Sequence, residues 1–484
     1  MSGLDPEDWN GLRALGHRML DDMIDRLVHL REQPVWQHMP DALRAELRAP
    51  LPEAGMPAEA VYEDFQRLVA PYSVGNTHPR FMGWVHGGGT GIGMLADLLA
   101  GGLNANLGGR DHAPIEVERQ VVRWAAEMVG MPSDSSGLLV TGSSMANLIA
   151  VLVARRHAAG PEVRTHGVDG ARLVGYAAAS AHGCIPRAFD IAGLGTGALH
   201  TIPCDGNQRM DVDALRQAVA RDRDAGELPF LVVATAGTVD TGAIDDLSAL
   251  ADFCAAEKLW FHVDGAFGAL AALSPRLRQG LAGIERADSL AFDFHKWAQV
   301  PYDAGCIVVR DPALQAQTFA QSLAYLTRED RGTAGNAPWP ADLGPDLSRG
   351  FRALKVWMTL RTYGSAEIGR MVERCCAMAA HLEARIHAEP ELELLAPVTL
   401  NIVCFRVRHL NGAEVAESVD WDRFNSELVK DLQESGIAVP STTMIGGHRA
   451  IRAAIVNHRT ETGDIDMMVD ALLRLAAARG ACAP

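Results

Sequence analysis

The chain has 484 residues, with 60 acidic and 44 basic side chains and a net charge of −16. Apolar residues make up 48% and charged residues 21%, which excludes a disordered, collagenous or coiled-coil chain. No basic stripe accompanies the acidity, which argues against nucleic-acid or anionic-membrane partners but leaves room for an anion held by local cations or helix N-termini.

The N-terminus is acidic and amphipathic, without the basic-then-apolar pattern of a secretory leader. Leu12, Leu15, Met19, Met23, Leu27 and Leu30 recur at helical spacing and predict a helix over 9–32. Pro34, Pro40, Pro50, Pro52 and Pro57 follow, a spacing that suits an arm wrapped around a neighbour. A short helix is expected over 58–70. The run GGGTGIG at 87–93 leads into a helix through MLADLLAGGL, and 115–129 reads as another.

The middle of the chain alternates strands and helices. Strands are expected at 138–142, 172–178, 229–237, 260–266, 289–294 and 305–311. A helix begins at SMANLIAVLVARRH, and Asp245 is placed to cap a second, DDLSALADFCAAEKL. This alternation predicts an α/β fold around a mostly parallel sheet, with ligands at the carboxyl ends of its strands. A helix from 349 is expected to stop near Gly364. Strands at 400–407 and 452–459 belong to a smaller C-terminal α+β region. No apolar run approaches the roughly 20 residues needed to span a bilayer. Eight cysteines form neither a CxxC pair nor a zinc spacing, so no metal is expected and the thiols read as reduced, in a cytoplasmic protein.

Gly91, Gly93 and Ala96 match GxGxxA, but no strand precedes them and no acid ends a strand about 20 residues on. Loop or close-packing glycines explain that run better than a dinucleotide. Four strand ends carry more. TGSSMAN at 141–147 offers backbone amides and the hydroxyls of Ser143 and Ser144 to a phosphate, although a Ser N-cap looks the same. AHG places His182 after one strand, and HVDGA ends another on Asp264. FDFHKW sets Lys296 between His295 and Trp297, where burial should depress the amine pKa toward its nucleophilic state; a surface lysine is the bland alternative. An amine for an aldehyde, an acid, an imidazole and a phosphate cradle are together what pyridoxal phosphate requires.

On HVDGA, HKW, TGSSMANLIA, SRGFRALKVWMTLRTYG and RAAIVNHRT, the chain resembles the group II pyridoxal-phosphate-dependent amino acid decarboxylases over about 70–460. The resemblance implies the fold-type I, aspartate-aminotransferase-like architecture and a homodimer with active sites shared at the subunit interface. It divides the chain into an N-terminal helical dimerisation arm (1–90), a large cofactor-binding domain (91–364) and a small C-terminal domain (365–484). By the same resemblance Lys296 bonds the cofactor, Asp264 pairs with its ring nitrogen, and His182 and Ala266 cover its two faces. Ser143, Ser144 and His295 hold the phosphate, Thr235 lies near the ring, and Arg452 lies near the active site.

Two features depart from the family. The expected mobile loop at 327–348 contains no tyrosine to return a proton to the substrate carbon. Tyr325 precedes it and Tyr363 lies in the next helix, leaving His182 as a substitute donor. Family members without that tyrosine can divert to an aldehyde product. The stretches FMGWVHGG and NANLGGRDHAP bring Trp84, His86, Asn106 and Arg110 as candidate substrate contacts. If Arg110 faces the substrate, an acidic or polar amino acid is favoured; if it pairs with Asp111 or Glu116, Trp84 dominates and an aromatic one is. The resemblance leans to the aromatic branch. A cofactor-binding pseudo-enzyme is the non-catalytic alternative, against which the intact Lys296, Asp264 and His182 argue.

Overall fold

The computed structural model describes residues 3–168, 172–321, 327–410 and 419–481. Tyr325 and Cys482 lie outside them. Twelve strands are described, and they form two sheets. In chain order they are β1 Phe81–Met82, β2 Ser136–Val140, β3 Leu173–Ala178, β4 Leu199–Ile202, β5 Leu228–Thr235 and β6 Trp260–Asp264. There follow β7 Ser289–Asp293, β8 Gly305–Val309, β9 Leu392–Leu394, β10 Ile402–Val407, β11 Val439–Ile445 and β12 His448–Ala454.

The large sheet runs β2-β8-β7-β6-β5-β3-β4. Its neighbours from β7 to β4 are parallel, and β8 alone runs antiparallel to those beside it. The central strands are buried along their whole length, as a sheet covered on both faces demands. Their near-continuous apolar sequences follow from that burial. The small sheet runs β1-β11-β12-β10-β9. Its edge β1 pairs parallel with β11 through Phe81↔Val439, so the N-terminal segment completes the C-terminal sheet of its own chain. The segment before β1 is tied to the same region, since Arg31 reaches Asp464 at 2.7 Å and the Val35 amide bonds Gly436.

Several predicted boundaries move for local reasons. The first helix spans Trp9–Val28, with a separate turn at Leu30–Glu32. The helix Leu247–Glu257 is capped by Asp246, which accepts from Ala249 N, not by Asp245. Asp245 instead turns inward and accepts the Met210 and Thr235 amides. The helix from Arg352 ends at Gly364 as expected, since φ 76° and ψ 155° are not helical; a second helix follows directly, runs to Ala388 and buries Ile368, Met371, Val372 and Cys375. The GGGTGIG run is close packing: a Cβ on Gly87 would lie 2.4 Å from the carbonyls of His295 and Lys296, and one on Gly93 would lie 2.3 Å from Pro301. The glycines bring this segment against the backbone of the reactive lysine. Among the described residues no helix is long and apolar enough to cross a membrane.

A buried ion pair pins the large sheet to its helices. Arg349 grips Glu118 at 2.5 and 2.8 Å and donates to the carbonyls of Leu107 and Leu139, while Glu118 also accepts the Leu139 amide. Both side chains are almost wholly buried. Removing one partner strands the other as an uncompensated charge, which costs about 3–5 kcal/mol. Arg349→Met should therefore lower the urea midpoint well beyond what a surface Arg→Met substitution does; an unchanged midpoint would show the pair to be dispensable.

Candidate active site

The parallel strands β5, β6 and β7 lie side by side, and their carboxyl ends deliver Thr235, Asp264 and Asp293 to one edge. Turns after β2, β3 and β7 add Gly142 to Ser144, His182, and His295 with Lys296. These residues line a single cleft of about 360 Å³, whose outer wall is Trp84, His86 and Tyr302. Of the sequence-predicted residues, Lys296, Asp264, His182, Thr235, Ala266, Ser143, Ser144, His295, Trp84 and His86 all line it.

The centre of the cleft is a buried carboxylate that the motif reading passed over. Asp293 accepts the Ser143 amide at 2.6 Å and the Ser143 hydroxyl at 2.8 Å, and pairs with Lys296 Nζ at 2.8 Å. It thus satisfies the first orphan amide of the helix Ser143–Ala159, where Gly142 has no side chain to cap it. Burial alone would lower the Lys296 pKa, but the charge and hydrogen bond of Asp293, with Asp264 behind, outweigh it and hold the amine above the ordinary lysine range. The expectation of a depressed amine is corrected accordingly. Burial likewise opposes ionisation of Asp293, and the charge of Lys296, with hydrogen bonds from Lys296 and Ser143, overcomes it, keeping this carboxyl below the usual range.

Asp264 is fully buried, and that desolvation raises its pKa against the pull of Lys296 and the Ala266 amide. Its Oδ1 accepts from Ala266 N and its Oδ2 from Asn147 Nδ2, each at 3.1 Å. His182 is exposed to the cleft, and its Nδ1 accepts the Cys184 amide at 3.1 Å, which leaves the ring proton on Nε2 when neutral. His295 is fixed the same way, with Nδ1 accepting from Ala304 N. Burial pushes its pKa down to about 4, so it stays neutral. The Ser144 hydroxyl is exposed and has no hydrogen-bond partner among the described residues.

Likeness to known proteins, in sequence and in structure, agrees with this geometry. The family model for the pyridoxal-dependent decarboxylase conserved domain matches residues 40–408. The chain belongs to the pyridoxal-dependent decarboxylase family. It is 34% identical over 459 residues to an aromatic-L-amino-acid decarboxylase of Bacillus atrophaeus, covering 94% of this chain and 93% of that one. It is 32% identical to a histidine decarboxylase of Drosophila melanogaster, covering 95% of this chain and 54% of the longer relative. The structure of Oryza sativa TDC with PLP and tryptamine superposes with a TM-score of 0.90 at 28% identity, covering 99% of this chain and all of that one. The fold is therefore fold-type I, the cofactor pyridoxal phosphate, and the reaction class amino acid decarboxylation. The donor set fits that cofactor: an amine for its aldehyde, a buried carboxylate for its ring nitrogen, and a helix N-terminus with a free hydroxyl for its phosphate.

Three predicted substrate contacts stand elsewhere in this chain. Arg110 is exposed and stacks on the Trp339 ring at 4.9 Å; Glu116 is taken by Arg119 and Asn336. Asn106 spends its Oδ1 on the amides of Gly108 and Arg349. Arg452 is buried, and its guanidinium is consumed by the carbonyls of Val239, Asp240 and Trp84 and the Ser441 hydroxyl. It braces the cleft wall from behind. Tyr363 lies at the end of the helix that starts at Arg352 and does not line the cleft.

Besides Asp293, the sequence reading missed Tyr302, whose ring centroid lies 4.2 Å from that of His295. An acid closing the otherwise apolar stretch SLAFDF was the available signal for Asp293. Nothing local marked Tyr302. If Asp293 sets the proton affinity of Lys296, then in cofactor-free Asp293→Asn the amine should be acylated faster at neutral pH, with its labelling midpoint lower by at least about one pH unit. Peptide mass spectrometry across a pH series measures this, and a midpoint unchanged or raised would contradict the assigned role.

Proposed function

We propose that the chain converts an aromatic L-amino acid to its amine and carbon dioxide, as a cytoplasmic homodimer. The observation that carries the reading is the make-up of the cleft. Lys296, Asp264 and His182 converge there beneath a wall of rings, with Trp84 and His86 centroids 6.0 Å apart and His86 and Tyr302 5.7 Å apart. Among the described residues that line it there is no arginine to receive an acidic side chain. The relatives named for aromatic substrates support the same choice.

When bound, pyridoxal phosphate supplies an electron-accepting ring for the electron pair left as carbon dioxide departs. Lys296 anchors the cofactor, and Asp264 keeps its ring nitrogen protonated. His182 and Ala266 enclose the ring, and Thr235 lies beside it. Ser144 and His295 meet the phosphate; Ser143, expected to do so, instead spends both its amide and its hydroxyl on Asp293. His182 Nε2 holds the proton that the substrate α-carbon needs, in place of a loop tyrosine. The side chains of Trp84, His86 and Tyr302 exclude water and take up the substrate ring.

A second copy of the chain suits the apolar surface. The helix Trp9–Val28 buries only Leu15 and leaves Trp9, Leu12, Ile24 and Val28 exposed, and the helix Gly91–Leu103 exposes Leu98, Leu99 and Leu103. Light scattering should give a dimer, and an active monomer would refute the assembly. A cytoplasmic setting keeps buried thiols such as Cys184 and Cys254 reduced.

Borohydride should fix the cofactor to the peptide containing Lys296. Carbon dioxide release should favour tryptophan, tyrosine or phenylalanine over glutamate and aspartate by at least about a hundredfold in kcat/KM. Arg110→Ala should leave that preference unchanged. Faster turnover of the acidic substrates would overturn the aromatic reading, and stoichiometric peroxide with aldehyde in place of amine would overturn the assigned product.

A further inference from the structure

Strand β6 carries two polar side chains on one face, His262 and Asp264, two residues apart. The helix Ser143–Ala159 lays Asn147 against both. Asn147 Nδ2 donates to Asp264 Oδ2 at 3.1 Å, and Asn147 Oδ1 lies 2.6 Å from His262 Nε2. Behind the imidazole, His262 Nδ1 lies 2.8 Å from Ser289 Oγ, and Trp260 Nε1 donates to that oxygen at 2.8 Å. His262, Asn147 and Ser289 are completely buried, and Trp260 nearly so. A full set of polar groups in an apolar core, off the cleft lining, needs a reason.

The hydrogen-bond roles are directional. An ionised carboxylate only accepts, so Asn147 turns Nδ2 to Asp264 and takes the His262 Nε2 hydrogen on Oδ1; Nδ1 is left to accept from Ser289 Oγ, which in turn accepts the Trp260 indole hydrogen. His262 then carries its proton on Nε2 and donates it to Asn147 Oδ1. Asn147 is left with its amide nitrogen donating to the carboxylate and to Cys184 Sγ. The opposite tautomer, with Nδ1 donating to the Ser289 carbonyl at 3.1 Å, would flip Asn147 and set its oxygen against Asp264. Burial holds His262 down to about 4, so it remains neutral, as the chain of donors requires.

We propose that Trp260, Ser289, His262 and Asn147 form a buried relay that positions Asp264, with Asn147 as the donor and His262 as the group that fixes which way Asn147 points. The inference rests on Asp264 facing the cofactor ring nitrogen. A hydrogen bond to an ionised carboxylate favours its charged form, so the relay keeps the shared proton on the ring nitrogen and off Asp264. None of the four lines the cleft, and each acts through the next.

The test uses the holoenzyme and reads the visible absorption band of the bound cofactor against pH, together with the rate of cofactor loss on dialysis. His262→Leu removes the donor and frees Asn147 to flip. A ring nitrogen that loses its proton draws less electron density from the Lys296 linkage, so the band midpoint should rise by at least about one pH unit. Cofactor loss should accelerate about tenfold. His262→Gln, which keeps an N–H for Asn147, should restore most of both values. Should His262→Leu fail to fold, Ser289→Ala removes the hydrogen that selects the tautomer and should move the midpoint the same way. Asp264→Asn distinguishes loss of the relay from loss of the Asp264 role itself. A shift in Asp264→Asn with none in His262→Leu or Ser289→Ala overturns the relay alone, whereas no shift in Asp264→Asn overturns the role of Asp264 and the relay with it.

Discussion

The site depends on one carboxylate buried at the end of β7. Asp293 offers two oxygens to three donors, the Ser143 amide, the Ser143 hydroxyl and the Lys296 ammonium. Each bond serves a different level of the structure. The amide bond joins the large sheet to the start of the helix Ser143–Ala159, satisfying a donor that a glycine N-cap leaves open. The lysine bond fixes the reactive nitrogen in the cleft and keeps it charged despite burial. Without the carboxylate, both the ammonium and the helix terminus would be desolvated without compensation.

A second bond of the same kind lies one turn along that helix. Ser143 and Asn147 share a face at i, i+4 spacing, and the adjacent strands β7 and β6 end in Asp293 and Asp264. Two neighbouring strand ends are thereby tied to two successive turns of one helix, through Asp293–Ser143 and Asp264–Asn147. The register that sets Thr235 beside Asp264 places a third polar group in the same row. Parallel strand geometry and helical periodicity together give the cleft its spacing.

The buried arginines serve the walls rather than the ligand. Arg349 clamps Glu118 and two backbone carbonyls, and Arg452 gathers the carbonyls of Val239, Asp240 and Trp84. A guanidinium can satisfy several orphan acceptors at once, which suits junctions where loops meet a sheet. Trp84, held from behind by Arg452, is a ring of the cleft wall whose position depends on such a junction.

The sequence by itself determined the strand and helix alternation and the order of the four motif-bearing strand ends, and with them the polar groups Lys296, Asp264 and His182 that line the cleft, because each strand end is a local signal of a polar residue following an apolar run. Helix limits were legible only where local chemistry acts alone. Gly364 reads as a stop and is one, because its positive φ ends the helix from Arg352 before a second begins. Asp245 reads as a cap, yet two distant amides claim it and Asp246 caps instead. Tertiary structure alone decided the charge state of Lys296, the diversion of Arg110 to Trp339 and of Arg452 to the cleft wall, and the entry of Tyr302 into the site. Those outcomes depend on which groups far apart in the chain come within hydrogen-bonding or stacking distance. No residue type or spacing encodes that distance until the sheet has formed.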